Sequence, residues 1–184
     1  MKLLVIYKSK TGFTKKYAKW ISKELACPDV SYEDLKSVIL SDYDIIIFGS
    51  RIHAGRVDGL SKFKKQLSER DNKKLVVFAT GATPANALEV IEKIWKSSFP
   101  TEEELKTPHF YMQAGLIYEK MGAGDRFIMK TLAKFLSSKN NKNSVENGCE
   151  QAIRNSYDIS SIEYIDPLIN YIREIRNDRG VIET

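Results

Sequence analysis

A short segment near the N-terminus, residues 9–14, combines three hydroxyl side chains with a single glycine. Its residues are Ser9, Lys10, Thr11, Gly12, Phe13 and Thr14. Ser and Thr hydroxyls can donate hydrogen bonds to an anion, and glycine lets the backbone approach a ligand oxygen closely. If a helix begins here, its first N–H groups have no partner within the helix and carry partial positive charge. The segment therefore predicts a phosphate-binding site.

The residues on either side of this segment predict a strand before it and a helix after it. Residues 3–7 form an apolar run that is typical of a buried strand. After the segment, apolar side chains recur at four-residue steps, which is the spacing of one helix face. These side chains are Phe13, Tyr17, Ile21 and Leu25. The hydroxyl-rich turn would then lie between the end of the strand and the start of the helix.

Two nucleotide-binding motifs are absent from this turn. A Walker loop needs a second glycine followed by Lys and Ser or Thr, and residues 9–14 hold one glycine. The dinucleotide motif Gly-x-Gly-x-x-Gly is likewise missing. The alternative is a helix whose N-terminus is capped by Ser or Thr and binds no ligand. The position directly after the first strand of an α/β pattern favours ligand binding.

The rest of the chain continues the alternation of strands and helices. We predict further strands at 30–35 (short, towards an edge), 44–49, 75–79 and 109–115, and helices at 60–67 and 85–96. A last helix is expected to start at Asp166 as N-cap, with Pro167 at its first position, and to end before Gly180. This alternation is typical of a doubly wound parallel sheet with helices on both faces, here one α/β domain over residues 1–184.

Three predicted loops, at 9–14, 50–59 and 80–86, follow strands of this sheet. In doubly wound sheets, ligands bind beyond the carboxyl ends of the strands, where the winding reverses. We therefore expect the three loops to lie together around one site.

Composition excludes several other classes of protein. The 184 residues are 42% hydrophobic and carry a net charge of +5, which suits one globular core, and no apolar run is long enough to span a membrane. Two histidines and two cysteines lie too far apart in sequence to suggest a metal site, so a metal-free protein of the reducing cytoplasm is expected. Lysines around the helix at 60–67 are interpreted as a solvated face, and no nucleic-acid module accompanies them.

An insertion, residues 116–157, interrupts the alternation before the last helix. Within it, residues 125–138 predict an amphipathic helix that carries Arg126, Lys130 and Lys134 at four-residue steps. Such a helix can pack on the sheet, dock onto a partner protein, or lie on an anionic membrane surface.

With these elements in place, the chain resembles the flavodoxin family. Residues 9–14 match its phosphate loop, Ser/Thr-x-Thr-Gly-x-Thr, in the correct first position. The resemblance implies strand order 2-1-3-4-5, FMN as cofactor and its phosphate in this loop. It places the flavin ring between two later segments. These segments are Ser50, Arg51, Ile52, His53, Ala54 and Gly55, and Thr80, Gly81, Ala82 and Thr83.

A second resemblance is to the flavodoxin-like, menaquinone-dependent protoporphyrinogen oxidase group. It rests on residues 49–55, on Ala114 with Gly115, and on residues 125–130 inside the insertion. This resemblance implies FMN-dependent oxidation of protoporphyrinogen, a quinone acceptor, and peripheral contact with the inner face of the membrane.

An FMN-dependent enzyme and a flavodoxin-type electron carrier remain alternatives, as does a redox-inactive assembly role. Carriers of this type are usually acidic and pack aromatic rings on the flavin, whereas residues 50–59 and 80–86 contain no aromatic residue. Arg51, His53 and Arg56 would place positive charge near the flavin and stabilise its anionic reduced form. This form suits two-electron chemistry, which favours an enzyme over a carrier. His53 is the one candidate proton carrier, although a loop histidine more often bonds a backbone carbonyl.

Overall fold

The computed structural model describes residues 1–67, 74–117, 119 and 156–182. This part of the chain contains a parallel sheet. Its spatial order is β2-β1-β3-β5-β6, and a short β4 pairs antiparallel with the end of β3. Leaving out β4, this is the predicted order 2-1-3-4-5. The strands are β1 (Leu3–Lys8), β2 (Asp29–Ser31), β3 (Ile45–His53), β4 (Arg56–Val57), β5 (Lys74–Gly81) and β6 (His109–Gln113).

Helices follow the strands, as the alternation predicted. They are α1 (Phe13–Glu24), α2 (Leu60–Gln66), α3 (Leu88–Ser98), α4 (Glu102–Leu105) and α5 (Asp166–Ile182). Three 3-10 turns complete the described elements, at Tyr32–Ser37, Leu40–Asp42 and Ile162–Ile165.

Two hydrophobic layers cover the sheet, one on each face. Along β1, Leu3, Val5 and Tyr7 belong to the layer that includes α1 and α5. Leu4 and Ile6 belong to the opposite layer, which includes α2 and α3. Successive side chains of a strand point to opposite faces, so a strand covered on both faces needs a continuous apolar run. This arrangement explains why residues 3–7 could be identified as a central strand.

Several predicted boundaries are wrong, and local hydrogen bonds explain most of them. The strand predicted at 30–35 is Asp29–Ser31, because Ser31 accepts a hydrogen bond from the Glu33 backbone and starts a 3-10 turn. The last helix is not capped by Asp166. Ser161 caps the preceding 3-10 turn, which continues directly into α5, and α5 extends past Gly180. The helix predicted from residue 85 begins at Leu88.

Residues 50–59 are a β-hairpin rather than an open loop. Strand β3 continues to His53 and then pairs with β4, with Ile52 opposite Val57 and His53 opposite Arg56. The two turn residues, Ala54 and Gly55, both have positive φ, as two-residue hairpin turns commonly require. The pairing thus places Ile52 and His53 on a strand rather than in a free loop.

The predicted helix at 125–138 and most of the insertion lie outside the described residues. Leu116 and Tyr157 pair in an antiparallel bridge, so the insertion starts and ends at neighbouring points of the fold. Within the described ranges, no helix combines the length and apolar character that crossing a bilayer requires.

Candidate functional site

The segment between β1 and α1 forms an open cradle around Gly12. Gly12 is the N-cap of α1 and has φ of 105°, a conformation that L side chains rarely adopt. The Gly12 N–H donates to Ser9 Oγ at 3.2 Å, and its carbonyl accepts from Lys16 N at 2.9 Å to start the helix. A Cβ built at Gly12 meets no atom within 4 Å. The cradle therefore has room for a ligand at the positive end of the α1 dipole.

Thr14, in the first turn of α1, faces inward rather than towards solvent. It is 2% exposed, and its hydroxyl hydrogen-bonds Thr80 Oγ1 at the end of β5 at 2.8 Å. Thr80 is 3% exposed. The bond joins the first predicted binding segment to the third.

We expect Thr14→Val and Thr80→Val each to lower the free energy of unfolding by about 1–3 kcal/mol, because each leaves the other buried hydroxyl without this partner. The double variant should lose less than the sum of the two singles, since two valines can pack together without an unpaired hydroxyl. Urea unfolding of all four proteins measures the coupling. Strict additivity would contradict a direct bond.

A cavity of about 260 Å³ lies where the three predicted segments meet at the carboxyl edge of the sheet, as expected. The lining combines hydroxyl, small and aliphatic side chains with one described charged residue. The lining residues are Thr11, Phe13, Arg51, Ile52, Thr80, Gly81, Ala82, Thr83, Ala114, Gly115, Leu116 and Ile117.

Four of the six predicted ring-binding residues at 50–55 lie away from this cavity. Ser50 is fully buried, and its hydroxyl donates towards the Lys8 carbonyl at 3.5 Å. His53, Ala54 and Gly55 are exposed at the tip of the hairpin and do not line the cavity. Arg51 and Ile52 are the residues of this segment that reach it.

The fourth wall, residues 114–117, was not predicted as a binding segment beyond the Ala114-Gly115 resemblance. The Ala114 N–H donates to the Gly81 carbonyl at 2.8 Å, so this wall continues the pairing of β6 with β5. Leu116 exchanges two backbone hydrogen bonds with Tyr157. A Cβ at Gly115 would lie 1.9 Å from the Tyr157 carbonyl oxygen, so the close approach requires glycine.

Arg51 is the charged side chain among the described lining residues, and Asp58 lies beside it. Arg51 Nε is 3.6 Å from an Asp58 carboxylate oxygen, whose partner oxygen is 2.9 Å from Lys8 Nζ. Burial alone would raise the pKa of Asp58, but the hydrogen bond and charge of Lys8, with Arg51 and His53, lower it overall. Of the three positive residues expected at this site, Arg51 is the one in the described cavity lining, and an ionised carboxylate partly balances its charge.

Tyr17 of α1 is completely buried. Its hydroxyl donates to the Gln113 carbonyl and accepts from the Ser161 N–H at 3.3 Å. Burial raises the pKa of Tyr17 well above its usual range, since a phenolate would be poorly solvated here. Tyr17 thus links α1, the end of β6 and the segment that returns from the insertion.

The raised pKa of Tyr17 predicts a loss of stability in alkali. Above pH about 10 the unfolded chain releases this proton while the folded protein keeps it, so stability falls as pH rises, by up to about 1.4 kcal/mol per pH unit. Tyr17→Phe should lower stability at pH 8 yet show a shallower decline between pH 10 and 11. Urea midpoints across this range test it, and parallel declines in both proteins would contradict it.

A metal or reactive-thiol site is not supported by the described residues. No group of three or more His, Cys, Asp or Glu side chains comes together within them. Cys27 is half-buried, and burial raises its pKa to about 11, so its reactive thiolate form is scarce at neutral pH. Cys149 lies outside the described residues.

Comparison with protein families finds that the model of the flavodoxin domain matches residues 4–143. An uncharacterized protein of Methanocaldococcus jannaschii is 36% identical over 86 residues, which are 46% of this chain and 57% of that protein. The match thus spans little more than half of the relative's length.

Solved flavoprotein structures are similar to this chain at low identity and low TM-score. A flavodoxin from the domain Archaea is 20% identical over 58% of this chain and 90% of its own, with a TM-score of 0.38. A flavoprotein from Lactobacillus acidophilus, solved in complex with FMN, is 18% identical over 61% of this chain and 91% of its own, with a TM-score of 0.40. With TM-scores below 0.5, these likenesses carry no inference about fold or ligand.

Proposed function

We propose that this chain, which belongs to the flavodoxin domain family, binds FMN and works as an oxidoreductase. The observation that carries the proposal is the open cradle at Gly12, beside a cavity at the same edge of the sheet. An anion fits the cradle because the free N–H groups of the first turn of α1 and the α1 dipole favour negative charge. The mixed apolar and hydroxyl lining of the cavity suits a ring with polar edges.

The residues present fit the two parts of this cofactor. Ser9, Thr11 and the backbone around Gly12 would hold the phosphate, with Lys10 adding positive charge. Phe13 and Thr14 are both buried at the start of α1. The ring would lie among the cavity residues of the second and third segments and of the fourth wall. These residues are Arg51, Ile52, Thr80, Gly81, Ala82, Thr83, Leu116 and Ile117.

FMN would supply the electron-transfer chemistry, and the protein would bind, orient and tune it. Arg51 contributes positive charge that favours a negatively charged ligand, and Asp58 moderates that charge. The buried Thr14–Thr80 pair keeps the cradle and the third segment at a fixed separation. His53 is exposed on the hairpin, outside the described cavity lining, so no proton-transfer role in the cavity is assigned to it.

An enzyme with its own substrate is proposed over a pure electron carrier. Among the described lining residues, Phe13 is the one aromatic side chain, and small residues such as Gly81, Ala82 and Ala114 leave room beside a flavin. The segments at 49–55 and 125–130 motivate protoporphyrinogen as substrate and a quinone as acceptor. The flavodoxin family itself favours the alternative, a carrier that serves a redox partner protein.

Anaerobic turnover distinguishes these two functions. The FMN-loaded protein is mixed with protoporphyrinogen and a menaquinone analogue, and porphyrin fluorescence is followed. Porphyrin formation that depends on both the quinone and FMN supports the enzyme. Absence of turnover, together with flavin reduction in two separate one-electron steps, supports the carrier.

A quinone acceptor would place the protein in the cytoplasm with peripheral contact at the inner membrane face. We propose the basic segment 125–138, which lies outside the described residues, as the contact. Liposome flotation with anionic vesicles tests it. Binding that is unchanged after Arg126, Lys130 and Lys134 are replaced by glutamine would exclude this contact.

A further inference from the structure

The end of β5 and the loop that follows it, residues 80–87, form much of the cavity wall although their sequence matches no specific ligand motif. Thr80, Gly81, Ala82 and Thr83 line the cavity, and α3 starts only at Leu88. Loops outside regular structure are usually mobile, and ordering one on binding costs affinity. What holds this segment in place therefore matters for any ligand in the cavity.

Two side chains of β6 hold it at successive points. The Tyr111 hydroxyl donates to the Thr83 carbonyl at 2.6 Å. Two residues further along β6, Gln113 Oε1 accepts from the Ala85 N–H at 2.9 Å. Tyr111 and Gln113 thus bond the backbone, rather than the side chains, of the cavity segment. Such bonds fix its path whichever side chains it carries.

The two β6 residues are themselves held in place. Gln113 Oε1 also accepts from the Tyr164 hydroxyl at 3.1 Å, and the Gln113 carbonyl accepts from the buried Tyr17 hydroxyl. Burial raises the pKa of Tyr111 well above its usual range, so its hydroxyl stays protonated and available as a donor at physiological pH. The bonds therefore connect the cavity segment to the packed interior, through α1 and the 3-10 turn before α5.

We infer that Tyr111 and Gln113 are positioning residues, which hold residues 82–87 in the ligand-binding conformation before a ligand arrives. The inference rests on the proposed binding of FMN for its effect on affinity, but the pre-ordering itself is a property of the ligand-free protein. Neither residue lines the cavity, so each acts through the segment that it bonds. Without either bond, the segment would lose conformational entropy when a ligand binds, and this loss should weaken binding.

Two variants and a matched control test the effect on binding. Tyr111→Phe and Gln113→Ala should each raise the Kd for FMN about five- to tenfold, the usual scale of one hydrogen bond. They should also shift the visible absorption band of bound FMN, because residues 82–87 become less ordered. Tyr32→Phe is the control, since the Tyr32 hydroxyl bonds the exposed Gln66 side chain, away from the cavity lining. It should change neither quantity.

Hydrogen exchange of the ligand-free protein supplies a second, FMN-independent measurement. The Ala85 amide should exchange at least about tenfold faster in Gln113→Ala than in the wild type. Gln113→Glu should restore its protection, because a carboxylate still accepts from both the Ala85 N–H and the Tyr164 hydroxyl. In Tyr32→Phe the exchange should stay at the wild-type rate.

These outcomes separate the inference from the proposed function. If the wild type binds FMN but both β6 variants keep its Kd within twofold of the Tyr32→Phe value, the positioning role is wrong. If the wild type takes up no FMN, the proposed function fails, and the exchange of the Ala85 amide then decides the pre-ordering alone. Unchanged exchange in Gln113→Ala would overturn it.

Discussion

Replacing Gly12 by glutamate should abolish FMN binding, raising the Kd at least about a hundredfold. Two effects add. Any L side chain is strained at φ of 105°, at a cost of about 1–3 kcal/mol. A carboxylate would also place negative charge at the helix N-terminus that the FMN phosphate would occupy, and like charges repel strongly there. Flavin content after purification and fluorescence titration of the apo protein both measure the loss.

Two further variants separate strain from charge. Gly12→Ala keeps the strain without the carboxylate and should weaken binding by a smaller factor, about tenfold. Gly55→Glu is the matched control, because Gly55 also has positive φ, is exposed, and has no atom within 4 Å of a built Cβ. It lies outside the described cavity lining and should bind FMN within about threefold of the wild type. Equal losses at both positions would show that strain alone, and not the cradle, is responsible.

The largest effect on stability is expected for Gly49→Ala. Gly49 lies within β3, and a Cβ there would be 1.9 Å from Cζ of the Phe78 ring on the neighbouring strand β5. Phe78 is completely buried, so its ring cannot move out into solvent. Overpacking of a close-packed core costs about 1–3 kcal/mol and sometimes more, and the severity of this contact places the expected loss near about 3 kcal/mol. Urea unfolding measures it.

A double variant identifies the cause of that loss. Phe78→Leu alone creates a cavity and destabilises the protein, but it also removes the ring that Gly49→Ala meets. In the Phe78→Leu background, Gly49→Ala should therefore cost at least about 1 kcal/mol less than in the wild type. A Gly49→Ala protein within about 1 kcal/mol of the wild type would contradict overpacking against Phe78 as the cause.

The sequence could predict the features that local patterns determine. The apolar run at 3–7 and the helical spacing after Gly12 are each encoded by neighbouring residues, and β1, α1 and the cradle lie where these predicted them. The meeting of three segments at one sheet edge then follows from parallel topology alone. That is why the position of the cavity could be predicted without any side-chain contact.

Features that depend on distant residues could not be predicted in this way. The hairpin at 50–57 depends on β4 pairing back onto β3, and Val57 alone gives little sign of a strand. The conformation of the wall at 114–117 depends on pairing with Tyr157, which lies at the far end of the insertion in sequence. Tyr111 and Gln113 lie within the predicted strand at 109–115, and nothing in their spacing indicates that they bond residues 83 and 85.

Titration of the folded apo protein with FMN is the direct measurement of the proposed cofactor binding. We expect uptake of one FMN per chain at micromolar concentration, with a yellow protein and quenched flavin fluorescence. The protein must first show cooperative urea unfolding, so that failure to bind cannot be attributed to misfolding. A cooperatively folded protein that takes up no FMN at micromolar concentration would exclude the proposed function.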